Sequence, residues 1–81
     1  MMNKLPVLKP NEVIKAFEKD GWIIKRRTGS HIIMEKPGYR AVLSIPCHKG
    51  KDIKRGTLRD LIRDAKLTVD TFIALLKGEK K

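Results

Sequence analysis

The chain has 81 residues, and its 19 lysines and arginines against 9 aspartates and glutamates give a formal net charge of +10. So short a chain predicts a single domain over residues 1–81 and excludes a cofactor-binding domain joined to a substrate domain. The charge favours a polyanionic partner, with nucleic acid first and an acidic protein second. A basic surface that only aids solubility gives the same composition.

Cysteine usage and hydropathy narrow the class of protein further. The single cysteine, Cys47, excludes an internal disulfide, so the fold does not depend on oxidation. The sequence contains no apolar run of the length that a signal peptide or a membrane span requires. We therefore expect a soluble, cytoplasmic protein without membrane attachment.

The first half of the chain predicts one helix followed by three strands. Residues 1–9 are expected to form a short leader, and a helix is predicted from residue 11 to residue 20 with Asn11 as its N-cap. Three apolar-rich runs then predict strands, and the short turns between them favour antiparallel pairing. These runs cover residues 22–27, 31–34 and 40–45.

The second half predicts a polar loop and two helices. Residues 46–56 form the loop, and Thr57 is expected to cap the next helix with Asp60 as its capping-box partner. Thr68 is expected to cap a last helix, and residues 79–81 to form a frayed tail. The order α-β-β-β-α-α predicts an α+β fold in which helices cover one face of a three-stranded antiparallel sheet.

His31 is the first candidate for chemistry. Strand alternation places Ile32 and Met34 under the helices, so His31 should point to the open face of the sheet. Imidazole titrates near neutral pH and can remove a proton from a ribose 2′-hydroxyl without a metal ion. From the pattern alone, a histidine that merely occupies a hairpin is the favoured interpretation. Cations just across the hairpin suit a phosphodiester, namely Lys25, Arg26 and Arg27.

Ser30 and His48 each admit more than one role. Ser30 could bind a phosphate oxygen or orient His31, although serine at such a position more often serves the turn itself. His48 could transfer a proton, contact a phosphate or lie solvated in the loop. The two histidines and Cys47 match no zinc-ligand spacing, so neither a metal site nor a cofactor is predicted.

The loop after the third strand is rich in cations and runs into a helix N-terminus. The free N–H groups and the dipole of a helix N-terminus favour anions, so the loop predicts a phosphate cradle. A solvated run of charge is the simpler interpretation. Arg59 continues a row of arginines along the helix and suits either a nucleic-acid backbone or acidic groups of a protein. The cations of the loop are Lys49, Lys51, Lys54 and Arg55.

Three segments together resemble the HicA family over residues 10–76. The first is the tripeptide Gly29-Ser30-His31, and the second is Ile45-Pro46-Cys47-His48, similar to the family's proline-x-histidine after the third strand. The third is the helix start Gly56-Thr57-Leu58-Arg59 within residues 54–65. At this separation in so short a chain, the combination is specific.

The resemblance implies a fold similar to that of double-stranded-RNA-binding domains. It also implies the toxin of a bacterial or archaeal toxin–antitoxin pair, an mRNA endoribonuclease that blocks translation, whose partner is the antitoxin HicB. The family's catalytic histidine corresponds to His31, and His48 is carried over only as an RNA or partner contact. Many members have a second histidine where this chain has Ile32. The alternatives are a non-catalytic double-stranded-RNA-binding module and, ranked lowest, a DNA-binding protein.

Overall fold

The computed structural model describes residues 5–48 and 50–78. Its elements follow the predicted order and confirm the α+β layout of a double-stranded-RNA-binding-like domain. Residues 1–4 of the expected leader, Lys49 and the expected tail at 79–81 lie outside the described residues. The elements are α1 (Pro10–Lys19), β1 (Ile23–Arg27), β2 (His31–Glu35), β3 (Val42–Pro46), α2 (Arg55–Asp64) and α3 (Val69–Leu76).

The three strands form one antiparallel sheet in the order β1-β2-β3. Ile32 and Met34 of β2 are buried with Leu43 and Ile45 of β3, and the helices cover this face. Alternation leaves His31, together with the other odd-numbered residues of β2, on the uncovered face. The prediction of one covered and one open face is confirmed.

A β-bulge in β1 changes which basic side chains lie on which face. Ile24 pairs with Met34, but Arg26 pairs with Ile33, so Lys25 is the extra residue. If the register continued unbroken from Ile24, Arg27 would lie opposite His31. The bulge instead pairs Arg27 with Ile32 and turns it to the helix-covered face.

Two of the three predicted helix caps are wrong. Helix α1 begins at Pro10, which suits a first helical position, and the backbone N–H of Lys9 donates to the Glu12 carboxylate (2.9 Å), so Asn11 is not the cap. Helix α2 begins two residues before Thr57, with Lys54 as N-cap. Thr68 does cap α3, since its Oγ1 accepts from the backbone N–H of residue 71 (3.0 Å).

The early start of α2 follows from the segment before it. Ile53 is buried and donates its backbone N–H to the carbonyl of Leu8 (2.8 Å), which fixes the chain direction just before residue 54. Leu5 and Leu8 are themselves core residues, and the Arg55 guanidinium donates from Nε to the Leu5 carbonyl (2.7 Å). The part of the expected leader that the structure describes therefore packs as part of the domain.

A buried polar cluster closes the end of the sheet farthest from His31. The Asp20 carboxylate is only 7% exposed and accepts from Lys36 Nζ (3.1 Å) and Trp22 Nε1 (3.3 Å). The Lys36 ammonium also lies 4.6 Å from the centre of the Tyr39 ring. The charges at this end are thus satisfied within the protein.

Candidate functional site

The turn between β1 and β2 fixes the position of His31. Thr28 donates its backbone N–H to the His31 carbonyl (2.8 Å), and the His31 N–H donates to Thr28 Oγ1 (3.0 Å). The backbone N–H of Cys47 donates to the Ser30 carbonyl (2.8 Å), which fastens the turn to the end of β3. His31 therefore starts its strand from a backbone held on both sides.

Ser30 contacts the imidazole ring of His31. Its Oγ lies 3.0 Å from His31 Nδ1, a hydrogen-bond distance. When Nδ1 carries the proton, it donates a hydrogen bond to Ser30 Oγ and Nε2 is a free base. In the other tautomer Nδ1 accepts the hydrogen bond and Nε2 is a proton donor. The contact matches the orienting role considered for Ser30 from the sequence, and the ring remains partly exposed on the open side of the sheet.

His48 lies beside His31. Their ring centroids are 6.3 Å apart, and the ring planes are inclined by 74°. The proximity follows from register, because His31 pairs with Pro46 and His48 comes two residues later. The spacing along the chain could not predict this contact, since it depends on how the chain leaves β3.

A cleft of about 540 Å³ opens on the helix side of His48. Its floor is apolar, and its rim carries Arg27, His48 and Lys51. Burial raises the pKa of the Cys47 thiol in this floor above its ordinary value, and the Arg27 guanidinium only partly opposes the shift. The floor consists of Ile14, Ile24, Ile32 and Cys47.

A second cleft, of about 350 Å³, lies on the other side of His48 and Lys51. It reaches Lys54 and Thr57 at the start of α2. In this fully described helix the N-cap side chain makes no capping hydrogen bond, and the first turn carries no acidic residue. Backbone N–H groups and two lysines therefore meet where the sequence predicts a phosphate cradle.

The other predicted contact residues lie apart from this group. Lys25 and Arg26 lie at the bulge opposite Ile33 of the open face. Arg55 donates a hydrogen bond from Nε to the Leu5 carbonyl, and Arg59 is exposed one turn further along α2. Sequence reasoning missed the locking role of Thr28 and the cleft itself. Only the Thr-x-x-His spacing could have indicated the former.

Two kinds of feature are absent from the described part of the chain. Within residues 5–48 and 50–78, no group of three or more histidine, cysteine, aspartate or glutamate side chains is placed to hold a metal ion. None of the helices in these ranges has the length and apolar character needed to cross a bilayer.

Comparison with known proteins identifies the family. The family model described as HicA toxin of bacterial toxin-antitoxin matches residues 10–67, which is more than half of the chain. No curated protein matches the sequence significantly. The matched region runs from the start of α1 to just beyond the end of α2 and includes His31, His48 and every residue that lines the two clefts except Lys9. The chain therefore belongs to the HicA toxin family, as the toxin of a toxin–antitoxin system that has an antitoxin as its partner.

Proposed function

We propose that the protein is a metal-independent endoribonuclease that cleaves mRNA and thereby blocks translation, with His31 as its catalytic base. The observation that carries this proposal is the 3.0 Å contact between Ser30 Oγ and His31 Nδ1. The contact orients the partly exposed ring, and in the tautomer with the proton on Nδ1 it leaves Nε2 free to accept a proton.

The reaction needs one base and a bound phosphodiester. His31 Nε2 removes the proton from a ribose 2′-hydroxyl, and the oxygen attacks the adjacent phosphorus. The bond from phosphorus to the 5′-oxygen breaks, and that oxygen takes up a proton. The products are a 2′,3′-cyclic phosphate and a 5′-hydroxyl. His48, with its ring centroid 6.3 Å from that of His31, contacts the same phosphate in this proposal.

The basic surface supplies RNA affinity. Each lysine or arginine that neutralises a phosphate releases counterions, so binding strengthens as salt falls. The closest support comes from the cations around the two clefts, because these flank the two histidines. The proposed RNA-binding residues are Lys25, Arg26, Arg27, Ser30, His48, Lys49, Lys51, Lys54, Arg55 and Arg59.

The antitoxin, in this proposal, is an acidic protein of the HicB type that covers His31 and the basic loop. The net charge of +10 supports an acidic partner, and the mRNA substrate places the pair in the cytoplasm. We expect the purified toxin–antitoxin complex to cut RNA far more slowly than free toxin. Equal rates would contradict this part of the proposal.

Cleavage of a labelled mRNA in EDTA, by wild type and by His31→Ala, tests the activity. We expect wild type to cut and His31→Ala to lose a factor of about 10²–10⁴ in rate while it still binds RNA. If neither protein cuts but both bind, the result favours a non-catalytic double-stranded-RNA-binding module. Cutting by both at one rate points to another catalytic group or to a contaminating nuclease, and a requirement for added metal contradicts the proposed mechanism.

A further inference from the structure

The cleft on the helix side of His48 has the size and chemistry of a ligand site. Its volume of about 540 Å³ lies within the range of about 300–1,000 Å³ usual for small-molecule pockets. Three isoleucines of the floor come from α1, β1 and β2, so separate elements build it: Ile14, Ile24 and Ile32. A concave apolar floor of this kind suits a flat ring rather than a phosphate.

Polar side chains also line the cleft, next to this apolar floor. Asn11 and Glu18 line the cleft from α1, and Arg27 lines it from β1. An amide and a carboxylate can pair with the edge of a nucleobase, the carboxylate with an exocyclic amino group. A guanidinium can stack on the ring.

The position of the cleft ties it to RNA. His48 lines the cleft and is also the neighbour of His31. RNA that contacts both histidines therefore also borders the cleft, because His48 belongs to both. Lys15, Arg27 and Lys51 give the rim the charge that an RNA backbone requires.

We infer that this cleft binds one unstacked nucleobase of the substrate RNA and prefers bases that carry an exocyclic amino group. The inference rests on the proposed function, because it names where that substrate is read. Guanine, adenine and cytosine offer the amino donor that Glu18 accepts, and uracil does not. Asn11 and Glu18 are thus specificity-determining residues.

Titration of isoleucine methyl groups by NMR tests the inference without any cleavage. Guanosine, adenosine, cytidine and uridine 5′-monophosphates are added at millimolar concentration, with ribose 5-phosphate as the control that lacks a base. We expect shifts at Ile14, Ile24 and Ile32 with the nucleotides only, largest for those with an amino group. Ile23 and Ile33, whose strand positions lie on the open face, should not move.

Two results of the titration overturn the inference. One is equal shifts with ribose 5-phosphate, which would mean that phosphate alone binds. The other is the absence of shifts in the floor, or shifts confined to Ile33. Because the titration needs no catalysis, it can succeed when the EDTA assay fails, and the reverse also holds.

Variants separate an RNA base from a protein segment as the occupant. Glu18→Gln keeps the shape and should reduce the preference for amino-bearing nucleotides by about five-fold or more, whereas Glu35→Gln on the open face should not. Ile14→Trp fills the cleft and should abolish the methyl shifts of Ile24 and Ile32. If Ile14→Trp instead weakens only binding of the cognate antitoxin and leaves nucleotide binding intact, the cleft is a protein-docking site.

Discussion

Polar side chains are buried and paired at one end of the three-stranded sheet and are at least partly exposed at the other. At the end where β1 begins and β2 finishes, the Asp20 carboxylate is buried and bonded to Lys36 and Trp22. At the end where β2 begins, His31 and His48 keep their rings at least partly exposed beside two clefts. The first end satisfies its charges internally, and the second leaves them facing outward.

Each strand has only five residues, yet the residues that stabilise the fold and the candidate functional residues lie at opposite ends of the sheet. A buried carboxylate that loses its partner costs several kcal/mol, so the Asp20 end holds the fold together. Exposed lysines and arginines repel one another slightly in the free protein and are neutralised when an anion binds. Substitutions at the two ends should therefore change different measured quantities.

Substitution of Asp20 should have the largest effect on stability. Asp20→Ala leaves the Lys36 ammonium, whose side chain is 17% exposed, without its carboxylate. We expect a loss of roughly 3–5 kcal/mol in the free energy of unfolding, measured by urea denaturation. His31→Ala should change it by less than about 1 kcal/mol. Equal losses for both variants would remove the distinction between the two ends.

Ser30→Ala tests the other end by removing the partner of His31 Nδ1. Since Nδ1 then lacks its acceptor, the base tautomer is less favoured, and we expect kcat for RNA cleavage to fall about ten-fold with KM nearly constant. The pH profile of kcat should shift as well, which a purely structural role would not produce. Ser30→Thr keeps the hydroxyl and should restore most of the rate. Loss of rate in both variants would contradict the positioning role.

The lysines at the second cleft should contribute to the salt dependence of RNA binding. In the His31→Ala background, which keeps the RNA intact, Lys51→Ala and Lys54→Ala should each reduce the slope of log Kd against log salt by about 0.7 on single-stranded RNA. Lys77→Ala, an exposed lysine after α3, serves as the matched control. Equal changes for all three lysines would mean that net charge alone sets affinity.

The smallest effect should come from a residue that belongs to neither end. Lys66 follows α2 with φ of 60°, a left-handed conformation that favours glycine. Lys66→Gly should raise the free energy of unfolding by about 0.5–1 kcal/mol, measured by thermal or urea denaturation. RNA cleavage should not change. A gain in stability that lowered cleavage would show that the two properties are coupled throughout the domain.

The sequence predicts the elements well where hydrophobic alternation decides them. Ile32 and Met34 are buried and His31 is on the open face, as the period of two requires. The caps at Asn11 and Thr57 are wrong because tertiary contacts of Leu8 and Ile53 set where α2 begins, and a proline takes the first position of α1. Local capping preference is too weak to override such packing.

The sequence predicts those parts of the site that depend on local contacts and misses those that depend on tertiary structure. His31 and Ser30 are adjacent in sequence, so their contact lies within reach of local reasoning. The approach of His48 to His31 depends on strand register and on the path out of β3. The cleft was missed because its floor combines α1 with two strands, and no single segment carries that pattern.

The extra residue in β1 has a consequence for how this surface can vary. Because Lys25 shifts the register, Arg27 reaches the cleft and Arg26 the open sheet face. If the bulge closed while Lys25 stayed in the strand, Lys25 would pair with Ile33, Arg26 would pair with Ile32 on the cleft side, and Arg27 would pair with His31. A one-residue shift in register, with no change of sequence, would thus exchange the arginine that lines the cleft and place the other beside His31.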